Sequence, residues 1–164
     1  MVTIRNYEPK DAPDILEIIN YNIVNSTALY DYTQRTLAQQ EQLLEDKIMK
    51  GFPVLIAEID QKVVGFGMYG EFRFREAYKF TIEHSVYVHQ NAHGKGIGQA
   101  LMSALINKAK QQGLHTMIGV IDAENQGSIT FHEKFGFKVV GIIKESGFKF
   151  DRWLDSVFVQ LILK

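Results

Sequence analysis

Apolar and polar residues alternate from Val2 to Tyr7, the period of a half-buried β-strand. The period then lengthens. Ala12, Ile15, Leu16, Ile19 and Ile23 share one helical face, with Asp11 as the expected N-cap and Pro13 tolerated in the first turn. Asn22 to Asp31 is polar and reads as a loop. Thr36 with Gln39 three residues on makes a capping box for a second helix, lined by Leu37, Leu44 and Ile48 and closed by Gly51 and Pro53.

Two β-rich runs, Val54 to Ile59 and Val63 to Tyr69, flank Asp60-Gln61-Lys62 and predict a hairpin. Gly70 to Ala77 is a loop carrying two arginines, and Tyr78 to His89 reads as the longest strand. A glycine-rich stretch, Asn91 to Gly98, leads into the clearest helix, where Ile97, Ala100, Leu101, Ala104, Leu105 and Lys108 recur at helical spacing up to Gly113. His115 to Ile121 is a further strand, and Asn125 opens a short helix that Gly136 ends. Phe137 to Ile143 and Leu154 to Leu163 are expected as strands joined by a polar loop around Gly147. The order β-α-α-β-β-β-α-β-α-β-β predicts an α+β fold, a mixed sheet with helices on both faces. The absence of repeats or linkers makes residues 1–164 a single expected domain.

Composition narrows the chemistry. The chain has no cysteine, which excludes disulfides, thiolate metal sites and a cysteine nucleophile. A net charge of −1 gives no general pull toward nucleic acid. Met1 to Tyr7 lacks the apolar core of a signal peptide, and no apolar run approaches the ~20 residues of a membrane span. The expectation is a cytoplasmic protein.

The strongest local signal is Val86-Tyr87-Val88, then Gln90 to Gly98, then a helix. Gly94, Gly96 and Gly98 allow close backbone approach to a ligand, and N–H groups at a helix N-terminus suit a pyrophosphate, with Lys95 adding charge. The alternative is a tight strand-to-helix turn without a ligand. It is not a Walker A loop, and its spacing does not match the dinucleotide fingerprint.

Gln90 to Gly98 resembles the acetyl-coenzyme A pyrophosphate loop of the GNAT acetyltransferase superfamily, with the pattern starting at Gln90 or at His93. Asn125-Gln126-Gly127-Ser128 with Phe131 to Phe137 resembles a second block of that superfamily. Arg73, Arg75, Ala77-Tyr78, Thr81, Glu83 to Val88, His132-Glu133 and Gly147 to Trp153 are similar to the phosphinothricin and methionine-sulfoximine N-acetyltransferase branch, across nearly the whole chain.

The resemblance implies a splayed pair of strands holding acetyl-CoA, with Val86, Tyr87, Val88, His93, Gly94, Lys95, Gly96, Ile97, Gly98, Gln99, Asn125 and Ser128 as its contacts. Main-chain N–H there would stabilise an oxyanion. Glu83 is the candidate general base, because an ammonium must lose a proton before attacking a thioester; its bland alternative is a solvent-facing strand carboxylate. His132 stands where most members carry a tyrosine acid, and reads as an acid, a substrate contact or a helix-surface histidine.

Arg73 and Arg75 are a candidate clamp for an anionic acceptor group, or a solvated basic loop. Phe72 and Tyr30 are candidate walls of the acceptor pocket. Asn125 serves equally as a plain helix cap. No metal is expected, since the histidines lack ligand spacing. Trp153 is assigned to packing or a dimer contact, and the branch implies a homodimer. The implied function is acetyl transfer to the amine of a small-molecule acceptor such as methionine sulfoximine, methionine sulfone or phosphinothricin. The competing readings are a GNAT enzyme acting on a peptide or protein amine, and a non-enzymatic acetyl-CoA sensor.

Overall fold

A computed structural model describes all of Met1 to Lys164. Its strands are β1 (Thr3–Asn6), β2 (Val54–Ile59), β3 (Lys62–Glu71), β4 (Thr81–Val88), β5 (Thr116–Asp122), β6 (Lys138–Lys149) and β7 (Arg152–Ile162). Its helices are α1 (Ala12–Asn25), α2 (Leu37–Met49), α3 (Ile97–Gln111) and α4 (Gln126–Glu133). The predicted order of strands and helices is the observed one. All seven strands join one sheet in the order β1-β2-β3-β4-β5-β7-β6. Only the β4–β5 pair is parallel.

The alternation along β2 shows how the sheet carries a core on each face. Val54 and Ile56 point to one face and pack with Ile15, Ile18, Ile19 and Ile23 of α1 and Leu44 of α2. Leu55 and Ala57 point to the other and pack with Leu101, Met102 and Leu105 of α3. The β2–β3 hairpin turns on Asp60 and Gln61, both at positive φ, as the right-handed twist of two-residue turns demands. The Thr36 capping box forms, with the Gln39 N–H donating to Thr36 Oγ1 at 3.2 Å and the Thr36 N–H to Gln39 Oε1 at 2.9 Å.

Several local expectations are corrected. Asp11 stands at the start of α1 but makes no side-chain cap; its carboxylate is taken by Arg5 and by the Glu8 N–H. On α1, Ile18 is buried while Leu16 is only half-buried. Asn22 to Asn25 continue α1 rather than starting a loop, because Asn22 and Asn25 turn their side-chain amides back onto the carbonyls of Ile18 and Tyr21. The longest strand is β6, not β4, and the polar stretch around Gly147 belongs to it. β6 pairs with β7 through two register shifts, one at Val139/Gly141 and one at Ile143/Gly147 within that stretch, and Phe150-Asp151, both at positive φ, make the turn. No helix is long and apolar enough to cross a membrane.

Candidate active site

The parallel β4–β5 ladder is short. It pairs Thr81, Ile82 and Glu83 with Thr116, Met117 and Ile118, and then the strands part. A cavity of about 840 Å³ opens in the wedge between them. Its walls are Glu83 to Val88 of β4, Gly119 to Asp122 of β5, the loop and first turn of α3, and Asn125, Ser128, Phe131 and His132 around α4. The segment Thr27 to Tyr30 closes one side.

Hydrogen-bond alternation decides what β4 offers the wedge. The His89 N–H donates to the Val64 carbonyl at 2.8 Å, so the main-chain groups of Ser85 and Tyr87 face β3, and those of Val86 and Val88 face the wedge. These are donors and acceptors without a strand partner, suited to an extended polar ligand. The Tyr87 ring instead stacks on Phe66, with centroids 5.3 Å apart.

At the mouth, Gly94 and Gly96 adopt φ of 81° and 73°, conformations other residues rarely take. Gly96 is the N-cap of α3 and supplies no side-chain cap, so the first N–H groups of the helix remain free for an anion. His93, Gly94, Gly96, Ile97, Gly98 and Gln99 line the cavity; Lys95 is exposed and does not. The free helix N-terminus and the size of the wedge fit a pyrophosphate-bearing cofactor. Asn125 caps α4, its Oδ1 accepting from the Ser128 N–H at 3.1 Å, and both residues also line the wedge.

Glu83 lies on the same strand face as Tyr87, toward α1 and α2. Glu83 is solvent-exposed along the cavity it lines, and its carboxyl is only partly enclosed by protein. Burial pushes its carboxyl above the usual carboxylate range, and Lys47 of α2 opposes that rise. Lys47 is itself held below its usual range, by burial first and by Lys50 second.

His132 and His84 meet on the opposite face of β4, both buried and both on the cavity wall. Their Nε2 atoms stand 2.9 Å apart. The close approach depends on Gly119, where a Cβ would fall 2.8 Å from His84 Cε1 and 3.5 Å from His132 Nε2. Burial lowers the pKa of both rings, and at His84 the neighbouring His132 adds to the fall. His84 was visible in the sequence only as part of the resemblance. Its partner is 48 residues away, and no local spacing links them.

The arginines are placed differently from the rest. Phe72, Arg73 and Arg75 lie on the segment between β3 and β4 and do not line the cavity. Phe72 packs edge-on against Tyr78, Arg73 lies 5.4 Å over the Phe72 ring, and both arginines are solvent-exposed.

The Thr27–Tyr30 side of the cavity is braced by contacts that the sequence did not disclose. Lys149 of β6 is 3% exposed and has no carboxylate partner. Its ammonium donates to the carbonyls of Ser26 at 2.7 Å and Leu29 at 2.5 Å, tying the Thr27–Tyr30 wall to the sheet. Thr27 donates to Asp122 at 2.5 Å, and Tyr30 packs so closely on Gly147 that a Cβ there would fall 2.7 Å from its ring. Lys149→Met keeps the length but removes both donors, so about 1–3 kcal/mol of stability will be lost. Cleavage within residues 26–30 in limited proteolysis will accelerate; an unchanged cleavage rate would show that the wall holds without Lys149.

The wedge between parallel strands, the open helix N-terminus and the adjoining carboxylate define an acyl-transfer fold built around an extended cofactor. A family model described as "Acetyltransferase (GNAT) domain" matches residues 4–158, and the chain belongs to this family of acetyl-CoA-dependent N-acetyltransferases. An L-methionine sulfoximine/L-methionine sulfone acetyltransferase of Pseudomonas aeruginosa is 40% identical over 98% of this chain and 94% of its own. A phosphinothricin acetyltransferase from Sinorhizobium meliloti, solved with acetyl-CoA, superposes with a TM-score of 0.96 at 35% identity, covering 99% of this chain and 88% of its own. A ribosomal-protein-alanine N-acetyltransferase structure from Brucella melitensis superposes at 0.97 with 42% identity, covering 98% of this chain and 99% of its own.

Proposed function

We propose that this chain acts as a single domain that acetylates the primary amine of a small amino-acid-like acceptor, of the methionine sulfoximine, methionine sulfone or phosphinothricin class, in one ternary complex. The observation that carries the reading is the wedge itself: unpaired main chain at Val86 and Val88, a free helix N-terminus at Gly96, and Glu83 within the same cavity. Acetyl-CoA, when bound, supplies the thioester carbonyl. Gly94 to Gln99 hold its pyrophosphate, with Lys95 adding charge at the exposed edge. Asn125 and Ser128 contact its pantetheine arm. The main-chain groups of Val86 and Val88 position that arm, whereas those of Tyr87, expected to do the same, are turned to β3; an N–H facing the wedge meets the oxygen that gains charge, a donor typically worth about 3 kcal/mol.

Glu83 takes the proton from the acceptor amine, directly or through water. A carboxyl held above its usual range is closer in pKa to the task than an ordinary one. His132 supplies a proton on the leaving-group side. Arg73 and Arg75, although outside the cavity lining, hold the acceptor's anionic end at its rim, with Phe72 as a wall; the exposed guanidiniums carry no ion-pair partner within the chain, which leaves their donors free. The protein works in the cytoplasm, without metal or nucleic acid, as a homodimer. The exposed apolar stripe of Val140, Ile142 and Ile143 on edge strand β6, with Phe148 and Trp153 beside it, supports the pairing.

The likeness to a ribosomal-protein-alanine N-acetyltransferase favours a second reading, an acceptor amine on a peptide or protein. One assay separates the readings. Purified protein is mixed with acetyl-CoA and a panel of methionine sulfoximine, phosphinothricin, ordinary amino acids, polyamines and peptides, and thiol release is followed. The chain contributes no background, having no cysteine. Rapid release with the sulfoximine and phosphinothricin is the expected result. Release with peptides alone would establish the second reading, and cofactor binding without release for any amine would favour a sensor.

A further inference from the structure

The proton inventory at His84 and His132 does not close for two neutral rings. His84 Nδ1 faces the Ile118 carbonyl at 2.9 Å, and His132 Nδ1 faces the Ser128 carbonyl at 2.7 Å. A carbonyl oxygen only accepts, so each Nδ1 must carry a hydrogen. Two neutral imidazoles then have none left, and their Nε2 lone pairs would point at each other across 2.9 Å. A hydrogen bond at that distance needs a third proton on one of the two Nε2 atoms.

We propose that His84 and His132 bind one proton jointly, shared along the Nε2···Nε2 axis, and that His84 is the positioning residue that keeps this proton on the cavity wall. Two opposing effects act on the proton. Burial makes the charged pair costly, and the facing lone pairs make the neutral pair costly. Because the two penalties oppose one another, they offset in setting the pair's proton affinity.

The surroundings leave the pair to titrate as a unit. Phe137 packs against both rings, with centroids at 5.3 Å and 5.2 Å. No third His, Asp or Glu groups with them to hold a metal ion. The other titratable side chains on the cavity wall are Tyr30, Glu83 and Tyr87, His93 of the glycine loop and Asp122 of β5; Glu83 and Tyr87 are on the opposite face of β4. Neither ring has a carboxylate as hydrogen-bond partner.

The proton's destination rests on the acetyl-transfer reading; the proton count does not. In the transfer step one N–H bond breaks at the pair and one S–H bond forms on the departing sulfur. The pair falls from a single positive charge to neutral as the thiolate's negative charge is discharged. A proton from the acceptor ammonium, released through the open cavity, restores it.

The test begins with the intact protein. Full-length chain labelled with ¹⁵N-histidine is followed by ring-nitrogen NMR from about pH 5 to about pH 9. Both Nδ1 atoms are expected to stay protonated while the two Nε2 signals move together in one step. Two rings titrating separately, or only two ring hydrogens on the pair at every pH, would overturn the proposal whatever the activity. Kinetics test the role. His84→Leu removes the acceptor facing His132, so kcat is expected to fall about tenfold to hundredfold. The alkaline limb of its pH profile will move to lower pH, with KM for acetyl-CoA unchanged. His84→Gln returns an acceptor oxygen near the same place and will partly restore both. An unmoved limb in His84→Leu, or a loss traced wholly to KM or to a lower melting temperature, would reduce His84 to packing.

Discussion

Glu83→Gln will lower turnover by roughly 10²-fold or more while leaving acetyl-CoA affinity unchanged. Gln matches the carboxylate in shape but cannot take a proton. Glu83 stands near the start of β4 and Gly94 to Gln99, where the cofactor's charge is expected, follow the end of that strand, so binding and chemistry separate in this variant. The wild-type profile of kcat/KM should rise with pH as Glu83 ionises. Burial places that limb above the range of an ordinary glutamate, and Lys47 limits the displacement.

Stability moves the other way. A carboxyl raised on folding binds its proton more tightly in the folded state, so its contribution is full below the unfolded pKa and is lost as pH rises through the folded one. Glu83→Gln removes that loss, and at neutral pH the variant will melt no lower than the parent. Turnover equal to the parent's would remove Glu83 from the mechanism. A collapse of both turnover and melting temperature would make it structural.

Asp11→Ala will be strongly destabilising although it lies away from the cavity. Asp11 is 2% exposed, and both of its oxygens accept from Arg5 at 2.8 Å, while Oδ2 also accepts from the Glu8 N–H at 2.8 Å. Arg5 turns its remaining face to Glu58 of β2, so one guanidinium joins β1, the start of α1 and β2. Removing the carboxylate strands part of a buried charge, a loss of about 3 kcal/mol. For a chain of this size that is a melting temperature lower by roughly 6–12 °C.

Burial alone would raise the Asp11 carboxyl, but the Arg5 bonds and the Glu8 N–H outweigh it and hold it below its usual range. Its stabilisation is therefore present above the unfolded pKa and lost as pH falls through the folded one. The variant's stability will depend less on pH on the acid side, measurable by urea titration at stepped pH. A melting temperature within about 1 °C of the parent would show that Glu58 alone satisfies Arg5.

Much of the fold was legible because it rests on neighbours in sequence. The order of elements, the Thr36 box, the Asp60-Gln61 turn and α3 are all set within a few residues, where periodicity and backbone preference act. Sequence pattern and structure differ where a group has two possible partners. Asp11 looked like a cap and went to Arg5; the polar run around Gly147 looked like a loop and was drawn into β6 by pairing with β7. The glycine loop and Glu83 were legible for the same local reason, and the cavity brings them together.

By itself, then, the sequence determined the elements, the glycine-rich helix start and the carboxylate on β4, since each depends on residue type and short spacing. The tertiary structure alone decided where β4 and β5 part, that His84 meets His132, and that Lys149 anchors a wall lying 120 residues earlier in the chain. Those contacts depend on strand register and on which faces close around the wedge, and that information exists only once the whole sheet has formed.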